Sequence, residues 1–463
     1  MQTPRVVAGA WTALAVAALA FTPTALAKSH QVEPLNQSRV SGKISGDDLA
    51  RAGYDMREAV VPGTGGAFSI VATPKQAASL RDKGATVRAP YGLARSNAAP
   101  ASPLTDPTHG FDVFRPWSLT PAACPTTCAT PKVNLKTWYH GQFRANRDVV
   151  KEVVYGKSLL GQDLVAYRIT GGGNDRRKPA VLYNGVQHAR EWIAAEVNRR
   201  LFEYVLQHKR DRSSGIPQLL KTRDLWFVPI VNPDGYDYTF TSKATRLWRK
   251  NLRDVDGDGT ITNGDGVDPN RNWPEKWNYD LEGASDDPTT EVYHGSGPAS
   301  EPEVAAYRAL EKRIRAKFQI DYHSFAKLIL YPEGWQVETP ATDAPLLTAL
   351  SGDDAKPAIE GFDPDVSAEL YTTNGDITDD SLTNFGTQAY TVELSGGEGD
   401  DVGGTVDGPD SFSPGGFVFQ DREADVQAEF EKNLQFALDL AKSAGNPDTP
   451  VSHIGNTAPE FVP

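Results

Sequence analysis

The sequence predicts an α/β protein in which a mixed, twisted β-sheet is sandwiched between helices. From about residue 132 to residue 445, short apolar runs alternate with longer segments whose apolar residues recur at helical spacing. Apolar runs bounded by turn residues are typical of strands, and the amphipathic segments are typical of helices that cover a sheet. The chain of 463 residues therefore has room for one large α/β domain and a smaller unit.

The elements of the large domain can be placed from these patterns. Strands are predicted at residues 164–169, 180–186, 225–231, 318–322 and 389–393. Helices are predicted at residues 190–207, 301–316 and 424–444. Residues 446–463 contain proline and show no periodicity, which predicts a flexible C-terminal tail.

The N-terminus predicts a signal peptide at residues 1–27. Arg5 precedes an apolar run from Val6 to Phe21, and Ala25-Leu-Ala27 is a small-residue cleavage site. The run is shorter than the roughly 20 residues that cross a bilayer. We therefore expect a secreted, extracellular protein with no membrane partner in its mature form. The net charge of −13 also argues against a nucleic-acid partner.

Residues 28–92 predict a small α+β module. Strands are expected at residues 59–61, 68–71 and 85–88, with a helix at 73–83 that begins with Thr-Pro. The module lacks histidine pairs and acidic clusters, so we interpret it as a prosegment, with a retained accessory domain as the alternative.

Residues 93–131 predict a linker, because they are rich in Pro, Ala, Ser and Thr without periodicity. We expect a processing site in this linker. It also contains the two cysteines, Cys124 and Cys128, for which a local disulfide is expected outside the cell.

A metal site is predicted where the strand at residues 180–186 gives way to a helix. His188 and Glu191 follow that strand three residues apart, so both can ligate one ion. Zn²⁺ accepts nitrogen and oxygen ligands, and a catalytic zinc keeps three protein ligands. His323 closes another apolar strand and is the favoured third ligand, although a histidine at a strand end is by itself more often structural.

Glu393 and several arginines complete the chemistry. Glu393 ends the strand at residues 389–393, where a buried carboxylate could act as general base on a metal-activated water; an exposed strand-end glutamate is the alternative. Arg246, Arg249 and Arg271 lie in two stretches between the metal ligands. Guanidinium groups clamp carboxylates with paired hydrogen bonds, although surface salt bridges are the common fate of an arginine.

Taken together, these stretches resemble the zinc metallocarboxypeptidases of the carboxypeptidase A/B family. The motifs occur in the family's order over about residues 132–445. They are His188-Ala-Arg-Glu-Trp, Trp248-Arg-Lys-Asn, Gly266-Val-Asp-Pro-Asn-Arg-Asn-Trp, His323-Ser-Phe, Leu330-Tyr-Pro, Tyr371 with the following Asn-Gly-Asp-Ile-Thr-Asp, and Tyr390-Thr-Val-Glu. The resemblance implies the zinc carboxypeptidase fold over residues 132–445 and one catalytic zinc ion.

The resemblance also implies a role for each matching residue. The zinc ligands would be His188, Glu191 and His323, with Glu393 as the base that activates water. Arg249 would polarise the scissile carbonyl and stabilise the oxyanion. Asn270 and Arg271 would bind the substrate's C-terminal carboxylate, and Tyr371 would cover its terminal residue. Arg190 and Arg246 would lie along the substrate path. Asp268 would orient His188 from behind.

The specificity pocket is expected to contain Asp376 and Thr378. In the family, an apolar residue at the Thr378 position marks hydrophobic specificity and an acid there marks Lys/Arg specificity. Threonine at this position, with an acid two residues earlier, is similar to the microbial branch that accepts both classes. The alternative is that Asp376 only hydrogen-bonds the local turn.

A calcium site is also predicted. Residues 254–265 follow the register of an EF-hand loop, with oxygen donors at positions 1, 3, 5, 7 and 12. These donors are Asp254, Asp256, Asp258, Thr260 and Asp265. The alternative is a solvated acidic turn.

We therefore expect a monomeric, secreted, zymogen-like zinc exopeptidase. Its substrates would be the C-termini of peptides and proteins that end in hydrophobic or basic residues. One alternative is a zinc amidase that acts on cell-wall peptides or acylated amino acids with the same fold. The other is a non-catalytic binding module, which typically loses a zinc ligand or the base.

Overall fold

A computed structural model describes most of the predicted large domain and much of the N-terminal module. The described residues are 33–54, 60–61, 67–88, 113–119, 133–172, 178–242, 244–325, 327–337, 339, 341, 343–395 and 423–455. They all fall in one compact unit, Val32–Pro463. The predicted signal peptide, both cysteines, most of the predicted linker and residues 456–463 lie outside the described residues.

The N-terminal module, defined as described residues 33–88, is a small antiparallel sheet with two helices. Its elements are β1 (Asn36–Gly42), α1 (Gly46–Arg51), β2 (Val60–Val61), β3 (Ala67–Ala72), α2 (Pro74–Asp82) and β4 (Ala85–Arg88). The sheet order is β2-β3-β1-β4, and each pairing is antiparallel. Thr73 caps α2 together with Gln76. The sequence patterns missed β1 and α1.

The described part of the large domain contains an eight-stranded mixed sheet. Its strands are β5 (Val150–Lys157), β6 (Asp163–Ile169), β7 (Ala180–Gly185), β8 (Asp224–Val228), β9 (Ala316–Ser324), β10 (Leu328–Tyr331), β11 (Asp363–Val366) and β12 (Gln388–Leu394). The order is β11-β10-β12-β9-β7-β8-β6-β5. The central strands β12, β9, β7 and β8 are parallel, whereas β10, β6 and β5 join by antiparallel pairings.

Helices cover both faces of this sheet. They are α3 (Leu135–Ala145), α4 (Trp192–His208), α5 (Ile216–Thr222), α6 (Pro233–Thr239), α7 (Pro302–Ile314), α8 (Ala344–Ser351), α9 (Ser367–Leu370), α10 (Ile377–Phe385) and α11 (Glu423–Ser443). Short 3₁₀ turns lie at Arg212–Ser214 and Pro269–Arg271.

Strand β7 shows how the two faces are filled. Val181 and Tyr183 belong to the cluster that includes α4 and α11 residues. Ala180 and Leu182 belong to the cluster that includes α7 residues. Because successive side chains of a strand point to opposite faces, a strand between two helical layers is apolar throughout. The predicted mixed sheet between helices is therefore confirmed.

The predicted strand at residues 225–231 is shorter in the structure. β8 ends at Val228, because Pro229 lacks the N–H that would continue the ladder. The sequence patterns also missed β5, β10 and β11. Among the described residues, no helix has the length and apolarity needed to cross a membrane.

Candidate active site

The candidate metal ligands and base lie where three neighbouring parallel strands end. His188 and Glu191 follow β7, His323 lies near the end of β9, and Glu393 lies near the end of β12. In the β9–β12 register, Glu393 is directly opposite His323, and adjacent strands are about 4.8 Å apart. All four side chains are buried. The sheet therefore brings them together from distant parts of the chain.

A strained turn after β7 directs His188 into the site. Val186 has φ of 60°, a left-handed conformation that is costly for a β-branched residue. The turn is held by Asn232, whose N–H donates to Val186 O at 3.0 Å and whose Nδ2 donates to Gln187 O at 3.1 Å. Glu191 occupies the N-cap position of α4 without a side-chain capping bond, so its carboxylate can face the site.

The three candidate ligands converge closely. His188 Nδ1 lies 2.6 Å from Glu191 Oε1, and His323 Nδ1 lies 3.0 Å from Glu191 Oε2. The two Nδ1 atoms are 3.1 Å apart. One ligand atom from each residue thus lies within 4.8 Å of the others.

The tautomers of the two histidines fit a cation at this point. His188 Nε2 lies 3.1 Å from Asp268 Oδ1, and His323 Nε2 lies 2.7 Å from Asp321 Oδ2. In the tautomer with the proton on Nε2, each histidine would turn its Nδ1 lone pair toward the Glu191 carboxylate. Glu191 Oε2 is buried and lies 3.0 Å from His323 Nδ1 without a well-aligned hydrogen bond from the residues that the structure describes. Two imidazoles and one carboxylate are a donor set suited to catalytic zinc.

The carboxylates and imidazoles of this group shift the pKa values of His323 and Glu191. Burial lowers the pKa of His323, but the carboxylates of Asp321 and Glu191 outweigh burial and raise the pKa well above its usual value. Burial raises the pKa of Glu191, but the two imidazoles outweigh it and lower that pKa. A divalent cation would be attracted by the same carboxylates.

Asp268 joins His188 to Arg249. Its Oδ1 faces His188, and its Oδ2 accepts hydrogen bonds from Arg249 Nε at 3.1 Å and Nη2 at 2.8 Å. Burial raises the pKa of Asp268, but Arg249 and His188 outweigh it and hold the pKa well below its usual value. Asp268 therefore stays ionised and fixes both neighbours.

The candidate carboxylate clamp, Asn270 and Arg271, follows Asp268 by two and three residues in the chain. Arg271 Nη1 is 3.9 Å from Asp268 Oδ2. Its guanidinium donates to Gly283 O at 2.6 Å, Asn270 O at 2.9 Å and the Tyr371 hydroxyl at 3.0 Å. Asn270 Oδ1 accepts the N–H of Ile377, the first residue of α10. The structure thus brings Asn270, Arg271 and Tyr371 together.

Arg190 and Arg246 are buried in other contacts. Arg190 Nη1 donates to Leu247 O at 3.0 Å and to Glu291 Oε1 at 2.5 Å. The Arg246 guanidinium lies 4.5 Å from the Trp192 ring centroid, and Nε donates to Thr239 O. Their predicted contacts with substrate stay a prediction.

The pocket residues Asp376 and Thr378 bond to one another at the start of α10. Asp376 Oδ1 accepts the Thr378 hydroxyl and the Asp379 N–H, each at 2.9 Å. Its Oδ2 accepts the Thr373 hydroxyl at 2.7 Å. These bonds favour the alternative in which Asp376 stabilises the turn. Dual specificity stays a prediction.

The acidic loop is only partly assembled as predicted. Carboxylate oxygens of Asp254, Asp256 and Asp265 lie within 4.8 Å of one another. Asp258 is not in this group, and its Oδ1 accepts the Thr260 N–H at 2.7 Å. The predicted calcium ligands Asp258 and Thr260 are therefore bonded to each other in the loop.

Sequence reasoning missed Asp321, Gln187 and Glu291. Asp321 lies inside the apolar strand that ends in His323, two positions before it and hence on the same face. A charged residue at such a position is a signal that could have been used. Gln187 and Glu291 carry no comparable signal in the sequence.

Comparison with known proteins agrees with this geometry. A family model described as zinc carboxypeptidase matches residues 136–431. The chain belongs to the zinc carboxypeptidase family.

Among its relatives, a metallocarboxypeptidase A-like protein of Trichophyton verrucosum is 32% identical over 292 residues, which cover 60% of this chain and 64% of that protein. Carboxypeptidase B of Astacus astacus is 33% identical over 246 residues, covering 52% of this chain and 77% of that protein. This chain thus spans less than two thirds of the first relative's length. The crystal structure of thrombin activatable fibrinolysis inhibitor has the same fold, with a TM-score of 0.65 at 19% identity over 89% of this chain and 99% of that chain.

Proposed function

We propose that this protein is a zinc-dependent carboxypeptidase that hydrolyses the C-terminal peptide bond of peptides and proteins. The observation that carries the proposal is the path Arg271–Asp268–His188. The Asp268 carboxylate lies between the buried Arg271 guanidinium and the candidate metal ligand His188. Its Oδ2 is 3.9 Å from Arg271 Nη1, and its Oδ1 is 3.1 Å from His188 Nε2. A substrate whose terminal carboxylate binds Arg271 would place its last peptide bond near the metal group.

Each residue has a defined task in this reaction. Zinc held by His188, Glu191 and His323 would supply Lewis-acid polarisation and lower the pKa of a water to about 7. Glu393, beside His323 on the sheet, accepts a proton from the attacking water and passes it to the leaving amine. Arg249 donates to the developing oxyanion, a contribution typically worth about 3 kcal/mol.

The clamp explains why the terminal bond would be selected. Asn270 and Arg271 bind the free carboxylate, which an internal peptide bond lacks. In the structure the Arg271 Nη2 donor is taken by the Tyr371 hydroxyl. Tyr371 would therefore have to release Arg271 when substrate binds, and its ring would then cover the terminal side chain.

The proposed substrates end in hydrophobic residues and also in basic ones. The hydrophobic preference rests on the family resemblance, and the buried neighbouring acids Asp376 and Asp379 support acceptance of basic side chains. Burial and the nearby Asp376 raise the pKa of Asp379 well above its usual value. A Lys or Arg side chain beside this pair would lower that pKa again and favour the ionised form of Asp379.

The test is release of C-terminal residues from matched peptides that end in Phe, Leu, Lys or Asp. Each peptide is compared with its C-terminal amide, with and without a zinc chelator. We expect release of Phe, Leu and Lys, lost on amidation and on chelation. Release of Phe without Lys would remove the basic specificity alone. Equal cleavage of amides would contradict the carboxypeptidase and favour the amidase, which cell-wall fragments would then test directly.

The N-terminal module is proposed to be an inhibitory prosegment. Its apolar core packs against Tyr371, and Leu35 and Gln76 line a cavity together with Arg249 and Glu291. The module would therefore cover the route to the clamp.

Hydrogen bonds hold the module on a single loop. Gln76 Nε2 donates to Thr289 O at 3.3 Å, and the Glu291 N–H donates to Gly53 O at 3.1 Å. We expect the intact chain to release far less product than the same chain cut within residues 93–131. Equal activity of the two would contradict inhibition by the module.

Secretion as a monomer belongs to the same proposal. The predicted signal peptide at residues 1–27 supports export. A chain recovered from the medium should begin after Ala27 or within the linker, and it should elute from a sizing column at monomer mass. Retention in the cell with residues 1–27 attached would contradict export.

Calcium binding by the acidic loop is a separate proposal. The grouped carboxylates of Asp254, Asp256 and Asp265 support it, since carboxylate oxygens are the ligands of calcium. Isothermal titration of the chelated protein with Ca²⁺ should give heat that Asp254→Asn diminishes. Absence of heat would exclude the site.

A further inference from the structure

We propose that Asp321 is a positioning residue for the metal ligand His323, and that it ties this ligand to the substrate-clamping segment. The connection runs from Trp273 through Gln187 and Asp321 to His323. This proposal rests on the proposed zinc-dependent function. Which group donates and which accepts in each hydrogen bond follows from the chemistry of the side chains.

The direction of the chain is fixed at Trp273. The indole N–H can only donate, and it lies 2.9 Å from Gln187 Oε1. The amide oxygen of Gln187 is therefore the acceptor, and its Nε2 must be the group that lies 2.5 Å from Asp321 Oδ2. Gln187 thus donates to Asp321.

A second donor reaches the other oxygen of Asp321. Asn184 Nδ2 lies 2.5 Å from Asp321 Oδ1. Asn184 Oδ1 accepts from the Tyr307 hydroxyl at 2.8 Å and from Gln319 Nε2 at 3.0 Å. Because the Asn184 oxygen is used by these donors, its amino group is the one that faces Asp321.

These donors leave Asp321 as an acceptor on both oxygens. His323 Nε2, at 2.7 Å from Oδ2, must then carry a proton and donate it. A neutral His323 in this tautomer presents its Nδ1 lone pair to the metal group. Asp321 therefore selects the tautomer and holds the plane of the ring, as carboxylates behind metal-bound histidines do.

Among the residues that the structure describes, no arginine or lysine pairs with Asp321. The side chain is fully buried and contacts Asn184, Gln187 and His323. Asp268, behind the other histidine, also binds Arg249. Substitution of Asp321 should therefore act on the metal ligand without disturbing the oxyanion-binding arginine.

The chain also reaches the clamp. Trp273 lies two residues after Arg271, and its backbone N–H donates to Gly375 O at 3.0 Å. Gly375 directly precedes Asp376 in the pocket turn. A displacement of the clamp segment would be transmitted through Gln187 to Asp321 and His323. These contacts would therefore keep the distance between the clamp and the metal ligand constant.

The test is the zinc affinity of the full-length Asp321→Asn variant, measured by competition with a chromophoric chelator in the absence of substrate. We expect the zinc dissociation constant to rise about 10- to 100-fold, the usual effect of losing such a partner. The visible spectrum of the cobalt-substituted protein should also shift, because the ring orientation and basicity of one ligand change.

Asp234→Asn is the matched control. Asp234 is a buried carboxylate that likewise accepts from uncharged donors, namely Ser158, Leu160 and Gln162. Its zinc affinity and cobalt spectrum should equal those of the unmodified protein. Equal loss in both variants would show a general stability effect and overturn the proposal, as would an unchanged affinity in Asp321→Asn.

A second variant serves if Asp321→Asn does not fold. Gln187→Met removes one donor to Asp321 but retains the His323 contact, so zinc affinity should fall in the same direction by a smaller factor. Wild-type zinc affinity in Gln187→Met would contradict the chain. Zinc affinity is independent of peptide cleavage, so failure here is distinguishable from failure of the proposed carboxypeptidase activity.

Discussion

At the residue scale, substitution of Glu393 should abolish most of the catalytic activity while leaving metal binding intact. It faces the site beside His323 but belongs to a different strand. Glu393→Gln keeps the shape of the side chain and loses the base. We expect kcat to fall by roughly 10² to 10⁴, the range for loss of general base catalysis, while bound zinc stays at one per chain. Peptide hydrolysis and metal analysis on one preparation check both. Retention of most activity would contradict the role of Glu393.

The metal ligands could be predicted from the sequence because two of them lie on one local turn. His188 and Glu191 are three residues apart, and their spacing alone indicates a shared ion. Asp321, two residues before His323 on one strand, left a usable signal, whereas Gln187 could not be assigned in this way. The contacts of Gln187 depend on the pairing of β7 with β9 and on the donor-only indole of Trp273, which the sequence does not place next to each other.

At the element scale, Asp376 caps α10, and two substitutions separate this role from a role in specificity. Asp376→Ala removes the capping acceptor and should lower the free energy of unfolding by about 1 kcal/mol. Asp376→Asn keeps an acceptor but removes the charge, so stability should be retained. Urea unfolding of both variants checks the cap.

The same pair tests the basic specificity. If the Asp376 charge attracts basic side chains, Asp376→Asn should lose release of Lys but keep release of Phe. Unchanged Lys release by this variant would leave Asp376 with the capping role alone.

Helix α7 carries a buried acid that should make stability depend on pH. Burial raises the pKa of Glu311 to about 8, from a usual value of 4.5. At pH values below the usual value, both folded and unfolded states hold the proton and the contribution to stability is complete. As pH rises toward 8, the unfolded state releases the proton first, so stability falls.

Glu311→Gln should remove this fall. We expect its melting temperature to exceed that of the unmodified protein at pH 8 and to differ less at pH 5. The free energy of unfolding that the unmodified protein loses between these pH values should be roughly 3 to 4 kcal/mol. Glu431→Gln on the exposed face of α11 is the matched control and should show no such change. A pH-independent difference would contradict the assignment to Glu311.

Elements with long, regular patterns could be predicted from the sequence, whereas short ones could not. Helix α4 begins within two residues of its predicted start, because its apolar residues repeat over many turns. Strands β10 and β11 have four residues each and pair at the edge of the sheet. Such short segments acquire their conformation from neighbouring strands rather than from a pattern of their own.

At the scale of the whole molecule, the contact of Gly53 with the loop at residues 289–291 should control inhibition by the N-terminal module. Gly53 has φ of 79°, and a Cβ atom there would overlap the Thr290 side chain. Gly53→Ala should therefore weaken docking of the module and raise the activity of the uncut chain several-fold toward that of the cut chain.

Gly84→Ala is the control for that experiment. Gly84 also has a positive φ, of 89°, but a Cβ there meets no atom within 4 Å among the described residues. It reproduces the backbone strain without the overlap, so the uncut variant should keep the activity of the unmodified uncut chain. Equal activation by both substitutions would indicate that unfolding of the module, not loss of its contact, releases the enzyme.

The placement of the metal group on three parallel strands also determines when it forms during folding. His188 and His323 are 135 residues apart in the chain and meet only after β7 and β9 have paired. Such non-local pairing is the slow part of folding, so zinc cannot act as a nucleus for it. Zinc that binds only the finished site would instead stabilise the native state by mass action. Chelation should therefore speed unfolding of the protein while leaving its refolding rate unchanged.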